Sequence, residues 1–211
     1  MRLQMPITKR KISHHFQYAA WMYLALIALS LFGWNLLYTT TRYRPPEDKQ
    51  IEFYAQAPTD SESLLQGLVD RVHAEVMPEM ELMTAIVITI TADYYGDMQL
   101  TVWISAAQGD VYLLTKDYFQ RFAGSGAFMD LQPLVDGGQL SVDGLDLSGG
   151  YVRQTDSDLD ITGLYGIPAD ALAGFTDYFI NPEDMVLCIL YNNGNDEYSV
   201  KFLNYLLEDL R

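Results

Sequence analysis

The sequence has few of the residues that covalent cross-links and acid–base catalysis require. Its 211 residues include one cysteine and three histidines. Cys188 has no partner for an internal disulfide, and its place in the apolar run MVLCILY predicts a small buried core residue. The histidines are His14, His15 and His73, and the sequence contains no HExxH, no G-x-S-x-G and no phosphate-binding glycine loop with lysine. We therefore expect a protein that is not an enzyme and needs no cofactor.

Basic residues are scarce after residue 46. Residues 1–46 hold six Lys and Arg and no acid, whereas residues 47–211 hold seven Lys and Arg against 28 Asp and Glu, a net charge near −21. Phosphate backbones repel such a surface, so we expect no nucleic acid partner. Cationic partners suit this part of the chain better.

Residues 16–38 form a run of 23 residues without a charge. As a helix this run is about 34 Å long, enough to cross a hydrocarbon core of about 30 Å. Tyrosine and tryptophan crowd both of its ends, as they do at membrane interfaces. The basic tail, residues 1–15, predicts a cytoplasmic N-terminus. Residues 39–49 predict a linker, and residues 50–211 an extracytoplasmic domain.

A cleaved signal peptide is the rival interpretation of the N-terminal run. The run is longer than the roughly 7 to 15 apolar residues of a signal peptide, and Tyr38–Thr41 offers no small-x-small cleavage site. We therefore expect an uncleaved, single-pass anchor in the cell membrane. An extracytoplasmic domain without disulfides fits a bacterial surface at least as well as a eukaryotic secretory route.

Strands and helices alternate three times between residues 49 and 135. Apolar or β-branched runs predict the strands, and apolar residues three or four apart predict the helices. Met98–Ala107 has strand propensity, but its place between two strands favours a crossover helix. The order predicts an α/β domain with a mostly parallel sheet flanked by helices. The predicted strands are Ile51–Tyr54, Thr84–Thr91 and Val111–Leu114; the predicted helices are Ser61–Met77, Met98–Ala107 and Lys116–Phe122.

The segment after Asp136 is rich in glycine and aspartate and does not continue the alternation. Residues 151–154 and 159–165 predict a hairpin with a polar turn. Met185–Tyr191 predicts a strongly apolar strand, and the helix after it carries leucines along one side. Asp60 or Ser61 is the expected cap of the first helix of the domain.

The order of GDVYLL from Gly109, the helix KDYFQRFA and the loop GSGAFMDLQPLV resembles the extracellular solute-binding proteins of ABC importers. The resemblance extends more loosely over Lys49 to Asp136, and more weakly to YGIP, Tyr165 to Pro168. It implies a solute-binding domain that works beside a transporter. About 165 residues have room for one lobe of such a protein plus a small addition, so the resemblance implies a truncated, membrane-anchored relative.

Ligands of open parallel sheets bind beyond the carboxyl ends of the strands. The loops at these ends are predicted at residues 56–59, 93–95 and 115–117, and tyrosine rings near them offer stacking surface to a sugar or a peptide. Asp110, which opens its strand, is expected to be structural rather than a ligand contact. The candidate ligand-binding residues are Gln56, Thr59, Tyr94, Tyr95, Thr115 and Tyr165.

Asp156, Asp158 and Asp160 form a D-x-D-x-D run that superficially resembles a calcium loop. Such a loop needs Gly at its sixth position and Glu at its twelfth, where this sequence has Ile161 and Ile167. A solvated turn is therefore expected, with no metal. Two alternatives to solute binding stay open: an accessory or scaffold subunit that binds another membrane protein, and a carboxylate- or metal-dependent enzyme.

Overall fold

The structure, a computed structural model, describes residues 9–43, 45–89, 94–153, 162–191 and 194–211. The chain divides into two compact units between residues 44 and 45. The first contains helix α1, Lys9–Thr41. Its apolar part, Ala19–Thr41, has a mean hydropathy of 1.6 and no buried residues. Length and composition allow this helix to cross a membrane, and a signal sequence near the N-terminus has the same properties.

The second unit, Pro45–Arg211, is built around one five-stranded sheet and a two-stranded hairpin. Its strands are β1 (Gln50–Gln56), β2 (Leu82–Ile88), β3 (Val111–Thr115), β4 (Tyr151–Arg153), β5 (Thr162–Leu164), β6 (Ile167–Pro168) and β7 (Met185–Ile189). Its helices are α2 (Glu62–Glu75), α3 (Tyr94–Ser105), α4 (Lys116–Gly124), α5 (Gln132–Asp136) and α6 (Asp196–Asp209). The strand order in the large sheet is β2-β1-β3-β7-β6.

Both faces of the sheet are buried, which explains why its central strands are apolar throughout. Successive side chains of a strand point to opposite faces. In β3, Val111 and Leu113 enter one core and Tyr112 and Leu114 the other, and all four are 0% exposed. Helices α2 and α6 cover the first face, and α3 and α4 cover the second. Cys188 on β7 is buried in the second core, which confirms the prediction of a core residue.

The sheet is mixed, which corrects the prediction of a mostly parallel sheet. Strand β1 pairs in parallel with β2 and β3, but β7 pairs antiparallel with both β3 and β6. The reason lies in the connection from β6 to β7. This connection contains short 3-10 helices and no α-helix that would carry the chain across a face of the sheet. Strand β7 therefore starts at the end of the sheet where β6 stops, and it runs in the opposite direction.

Several local predictions are confirmed, one of them only in part. Residues 94–105 form the crossover helix α3, and β4 and β5 form the predicted hairpin, whose turn lies outside the described residues. The predicted cap of α2 is confirmed in position only: Ser61 is the N-cap residue, but its side chain accepts no hydrogen bond from the start of the helix. Ser61 is buried, and its hydroxyl instead donates to the carbonyl oxygen of Tyr178 at 2.6 Å.

The buried carboxylate of Asp110 lies at the amino-terminal ends of the parallel strands. This end of the sheet is called the amino edge here. Oδ2 of Asp110 accepts a hydrogen bond from the backbone N–H of Glu52 at 2.7 Å, and the N–H of Asp110 donates to the carbonyl of Glu52 at 3.0 Å. The side-chain amide of Asn195 donates to the other oxygen of Asp110 and to the carbonyl of Gln50. Asp110 thus joins β1, β3 and the start of α6, in agreement with a structural role.

Gly109 precedes this carboxylate and has no room for a side chain. Its φ is +83°, and a Cβ atom there would lie 2.4 Å from the ring of Tyr54. That ring stacks on Tyr112 with centroids 4.9 Å apart. The Gly-Asp pair at the start of β3 is therefore explained by packing and hydrogen bonding within the fold.

The Asp110 carboxyl predicts a specific pH dependence of stability. Burial raises its pKa from 3.8 to about 6, and the hydrogen bonds from Glu52 and Asn195 only partly oppose this rise. Because the folded state holds the proton more tightly than the unfolded chain, the stabilisation is fully present below about pH 4 and is lost as the pH rises through about 6. Across this range we expect wild type to lose about 3 kcal/mol more unfolding free energy than Asp110→Asn, which does not ionise.

Urea unfolding of residues 45–211 at a series of pH values measures this difference. The Asn side chain in Asp110→Asn keeps an acceptor oxygen for the Glu52 N–H, but its NH₂ group faces the NH₂ group of Asn195. Two donors then oppose each other, so the absolute unfolding free energy of this variant is lower. The informative quantity is therefore the slope of the unfolding free energy against pH. Equal slopes for the two proteins would show that another group titrates.

Candidate functional site

The carboxyl ends of β1, β2 and β3 meet at the edge of the sheet opposite the amino edge, here called the carboxyl edge. Gln56 ends β1, and Thr115 ends β3. Oε1 of Gln56 accepts a hydrogen bond from the backbone N–H of Thr115 at 3.0 Å. Within the described part of the chain, no acceptor lies at hydrogen-bond distance from the Nε2 amide of half-buried Gln56.

Two exposed threonines join the loop after β1 to the end of β2. The hydroxyl oxygens of Thr59 and Thr89 lie 3.2 Å apart. One hydroxyl donates to the other, which leaves the second proton and the remaining lone pairs for solvent or a ligand. Thr59 was predicted from the sequence. Thr89 was missed because the predicted strand extended to Thr91, which placed Thr89 inside the strand.

Lys116 adds a positive charge at the start of α4. Its Nζ lies 3.2 Å from Oδ1 of Asp170 and 2.7 Å from the carbonyl oxygen of Glu183. These contacts tie α4 to the segments after β6 and before β7. The side chain stays one-third exposed. Its position directly after β3 is a signal that sequence analysis had available, because residues there lie at the carboxyl edge.

Phe179 is an exposed aromatic residue next to the same edge. The carbonyl of Tyr178 is bound by Ser61, close in the chain to Thr59, and Met185 pairs with Thr115. The segment between them therefore runs along the carboxyl edge. Phe179 is 62% exposed and has a φ of +58°, a left-handed conformation that costs a bulky residue about 1 to 2 kcal/mol. Sequence patterns carry no signal for such a conformation.

None of the three predicted tyrosines has a described side chain that is exposed at the carboxyl edge. Tyr165 is 4% exposed and packs in the second core with Phe119 and Phe128, which corrects the expectation of an open stacking surface. Its backbone follows β5 rather than ending a parallel strand of the large sheet. Tyr94 and Tyr95 begin α3, but their side chains lie outside the described residues.

Acidic side chains do not converge on a metal site in the part of the chain that the structure describes. There, no group of three or more His, Cys, Asp or Glu residues is arranged to hold a metal ion. Asp156, Asp158 and Asp160 lie outside the described residues. Asp110, whose pKa is raised, is buried at the amino edge and is occupied by backbone and amide donors.

The described part of the domain also has surface depressions away from the carboxyl edge. A groove of about 850 Å³ runs along α6, with an apolar floor and an acidic rim. A smaller depression of about 310 Å³ at the amino edge is lined by residues that include Lys49, Glu79 and Asn195. The groove along α6 combines apolar area with a size suited to a helix or a peptide.

No protein-family model and no curated protein matches the sequence. Among solved structures, the chain is similar to an extracellular solute-binding protein of family 1 from Alicyclobacillus acidocaldarius, with a TM-score of 0.45, 15% identity and 61% of this chain covered. It is similar to a de novo designed esterase, with a TM-score of 0.44, 17% identity and 58% covered. It is also similar to an ABC substrate-binding protein from Listeria monocytogenes, in complex with cycloalternan, with a TM-score of 0.40, 19% identity and 56% of this chain covered. The match covers 29%, 28% and 28% of those chains, respectively.

The bond between Gln56 and Thr115 predicts different effects for two substitutions. Gln56→Ala removes the acceptor of the half-buried Thr115 N–H and should lower the unfolding free energy by about 1 kcal/mol. Gln56→Glu keeps an acceptor oxygen at the same place, so we expect a change within about 0.5 kcal/mol. Urea unfolding of residues 45–211 at pH 7 distinguishes them. A loss of the same size in both variants would mean that this hydrogen bond does not hold the strand ends together.

Proposed function

We propose that Pro45–Arg211 is an extracytoplasmic, non-catalytic binding domain that takes a small polar solute, a sugar or a short peptide, at the carboxyl edge. The observation that carries the proposal is the convergence there of donors from separate segments of the chain. Gln56 supplies an amide, the pair of Thr59 and Thr89 supplies hydroxyl groups, and Lys116 supplies an ammonium group. Carboxyl ends of parallel strands are where α/β sheets bind ligands.

Phe179 supplies the apolar part of the proposed site. A pyranose ring or an apolar peptide side chain needs a flat hydrophobic surface besides hydrogen bonds, and an aromatic ring provides it. Residues held in costly backbone conformations cluster at ligand sites, because the surrounding structure maintains them for a purpose other than stability. A single lobe covers its ligand on one side only, so we expect dissociation constants of about 0.1 to 1 mM.

The proposed site is tested by ligand screening with matched variants. Residues 45–211 are screened by thermal shift against sugars, amino acids and short peptides, and the dissociation constant of each hit is measured by calorimetry. Gln56→Glu removes the Nε2 donor and Phe179→Ala removes the ring, so each should weaken binding about tenfold. Tyr191→Ala is the control, because Tyr191 is also 62% exposed and follows the end of β7 that lies at the amino edge.

Two results would contradict the proposal. Wild type that is folded and gives no shift with any ligand class has no such site. A hit whose affinity falls equally in Tyr191→Ala binds elsewhere on the domain. Loss of affinity in Gln56→Glu and Phe179→Ala, with Tyr191→Ala unchanged, supports the site.

We further propose that α1 anchors this domain in the cell membrane, with the N-terminus in the cytoplasm and the domain beside an ABC transporter. In bacterial cells the full chain should stay in the membrane after alkaline carbonate extraction. Replacing Leu26 and Leu31 by Arg places two charges in the span, at about 2.5 to 3.5 kcal/mol each, and should release the domain. Release of the wild-type domain by carbonate, with a shortened N-terminus, would identify α1 as a cleaved signal sequence.

A second candidate function is that of an accessory subunit bound to another membrane protein. The observation in its favour is the apolar groove along α6 on an otherwise acidic domain. Exposed apolar patches on soluble domains mark interaction surfaces. The two functions are compatible, because the groove and the carboxyl edge use different residues.

A further inference from the structure

The groove along α6 has an apolar floor formed by five half-buried side chains. Each of them contributes to the core of the same face of the sheet and leaves part of its surface in the groove. The floor spans α6, the end of α2 and the segment around α5, so it is one continuous strip rather than scattered exposed residues. The floor residues are Val76, Met129, Leu134, Val200 and Tyr205.

The rim of the groove is acidic at both ends. Asp196 and Glu197 lie in the first turn of α6, and Glu208 lies in its last. The distance along the helix between these ends is about 18 Å, because an α-helix rises about 1.5 Å per residue. Among the described residues, no base lies within ion-pair distance of these three carboxylates.

The bases near the groove are neutralised by acids of the domain itself. Lys201 pairs with Glu79 at 3.1 Å, and Arg71 pairs with Asp209 at 3.3 Å. Burial and then the carboxylates of Asp209 and Glu75 raise the pKa of the Tyr205 hydroxyl, which Arg71 only partly offsets. The groove therefore presents a negative potential over an apolar floor.

We propose that this groove binds an amphipathic helix of another protein that carries lysine or arginine on either side of an apolar stripe about three turns long. The apolar stripe would fill the floor, and the basic residues would face Asp196, Glu197 and Glu208. A second copy of this domain does not fit, because a net charge near −21 on each copy opposes pairing of two acidic rims. The inference goes beyond solute binding and gives the second candidate function a partner of defined chemistry.

The probe is a fluorescein-labelled synthetic helix of about four turns with leucine along one face and lysine on the others. Fluorescence anisotropy measures its binding to the full chain in nanodiscs of zwitterionic lipid. A peptide of the same composition, with leucine spread around the helix, reports binding that depends on charge alone. Lipid binding is the same for all protein variants, so differences among variants report the groove.

Three variants in the groove have matched controls elsewhere. Val200→Asp places a charge in the floor, and Val102→Asp makes the same change at the exposed surface of α3, on the other side of the sheet. Glu197→Lys and Glu208→Lys reverse the rim charges. Glu62→Lys is their control, because Glu62 lies in the first turn of α2 as Glu197 lies in that of α6.

We expect Val200→Asp to weaken probe binding at least tenfold, each rim reversal to weaken it three- to tenfold, and both controls to leave it unchanged. If Val200→Asp does not fold, the two rim variants decide, because both residues are exposed. Absence of binding, equal binding of the scrambled peptide, or equal effects of the controls would overturn the proposal. A wild-type dimer that Val200→Asp or Glu197→Lys converts to a monomer, measured by light scattering, would overturn it in favour of a second copy.

Discussion

The burial of β3 on both faces is the constraint on which the rest of this domain depends. Its first four residues are fully buried, and strands pair with it on both sides, β1 in parallel and β7 antiparallel. A strand in this position needs backbone partners at both edges and apolar cover on both faces. Helices α2 and α6 on one side and α3 and α4 on the other meet that need. The remaining strands and the hairpin are additions at the periphery of this centre.

The two edges of the sheet have opposite chemical character, although the same strands form both. At the amino edge Asp110 and Asn195 satisfy each other and the backbone of β1, so the polar groups there are occupied by the protein. At the carboxyl edge the amide of Gln56 and the hydroxyls of Thr59 and Thr89 have hydrogen-bonding capacity that the described residues do not use.

Negative charge shapes what the surface of the domain can bind. Most of its bases are paired with acids in surface contacts, which contribute little to stability individually but neutralise the positive charge. The carboxyl edge has Lys116, whose charge Asp170 balances, and uncharged donors, which suits polar solutes. The rim of the α6 groove keeps Asp196, Glu197 and Glu208, which suits a basic partner. The two proposed functions therefore use separate surfaces with different charges.

The sequence alone determined the local elements and the central part of the sheet. Hydrophobic periodicity is a local property, and it placed β1, β3, α2 and α4 within a few residues of their observed bounds. The order of the chain predicted the crossover helix α3 against its strand propensity. Gln56 and Thr115 were predicted to lie at one edge, because parallel strands end together, and the structure shows them joined by a hydrogen bond.

Only the tertiary structure decided the features that depend on distant parts of the chain. The direction of β7 depends on where β6 ends, which no local pattern encodes. Nothing in the local sequence separates Tyr165 from an exposed tyrosine, and its burial follows from its place in the second core, which distant segments of the chain form together. The left-handed backbone of Phe179 and the raised pKa of Asp110 likewise result from neighbours that meet only in the folded chain. Local sequence specifies elements, whereas burial, strain and electrostatics are set by contacts between residues far apart in the chain.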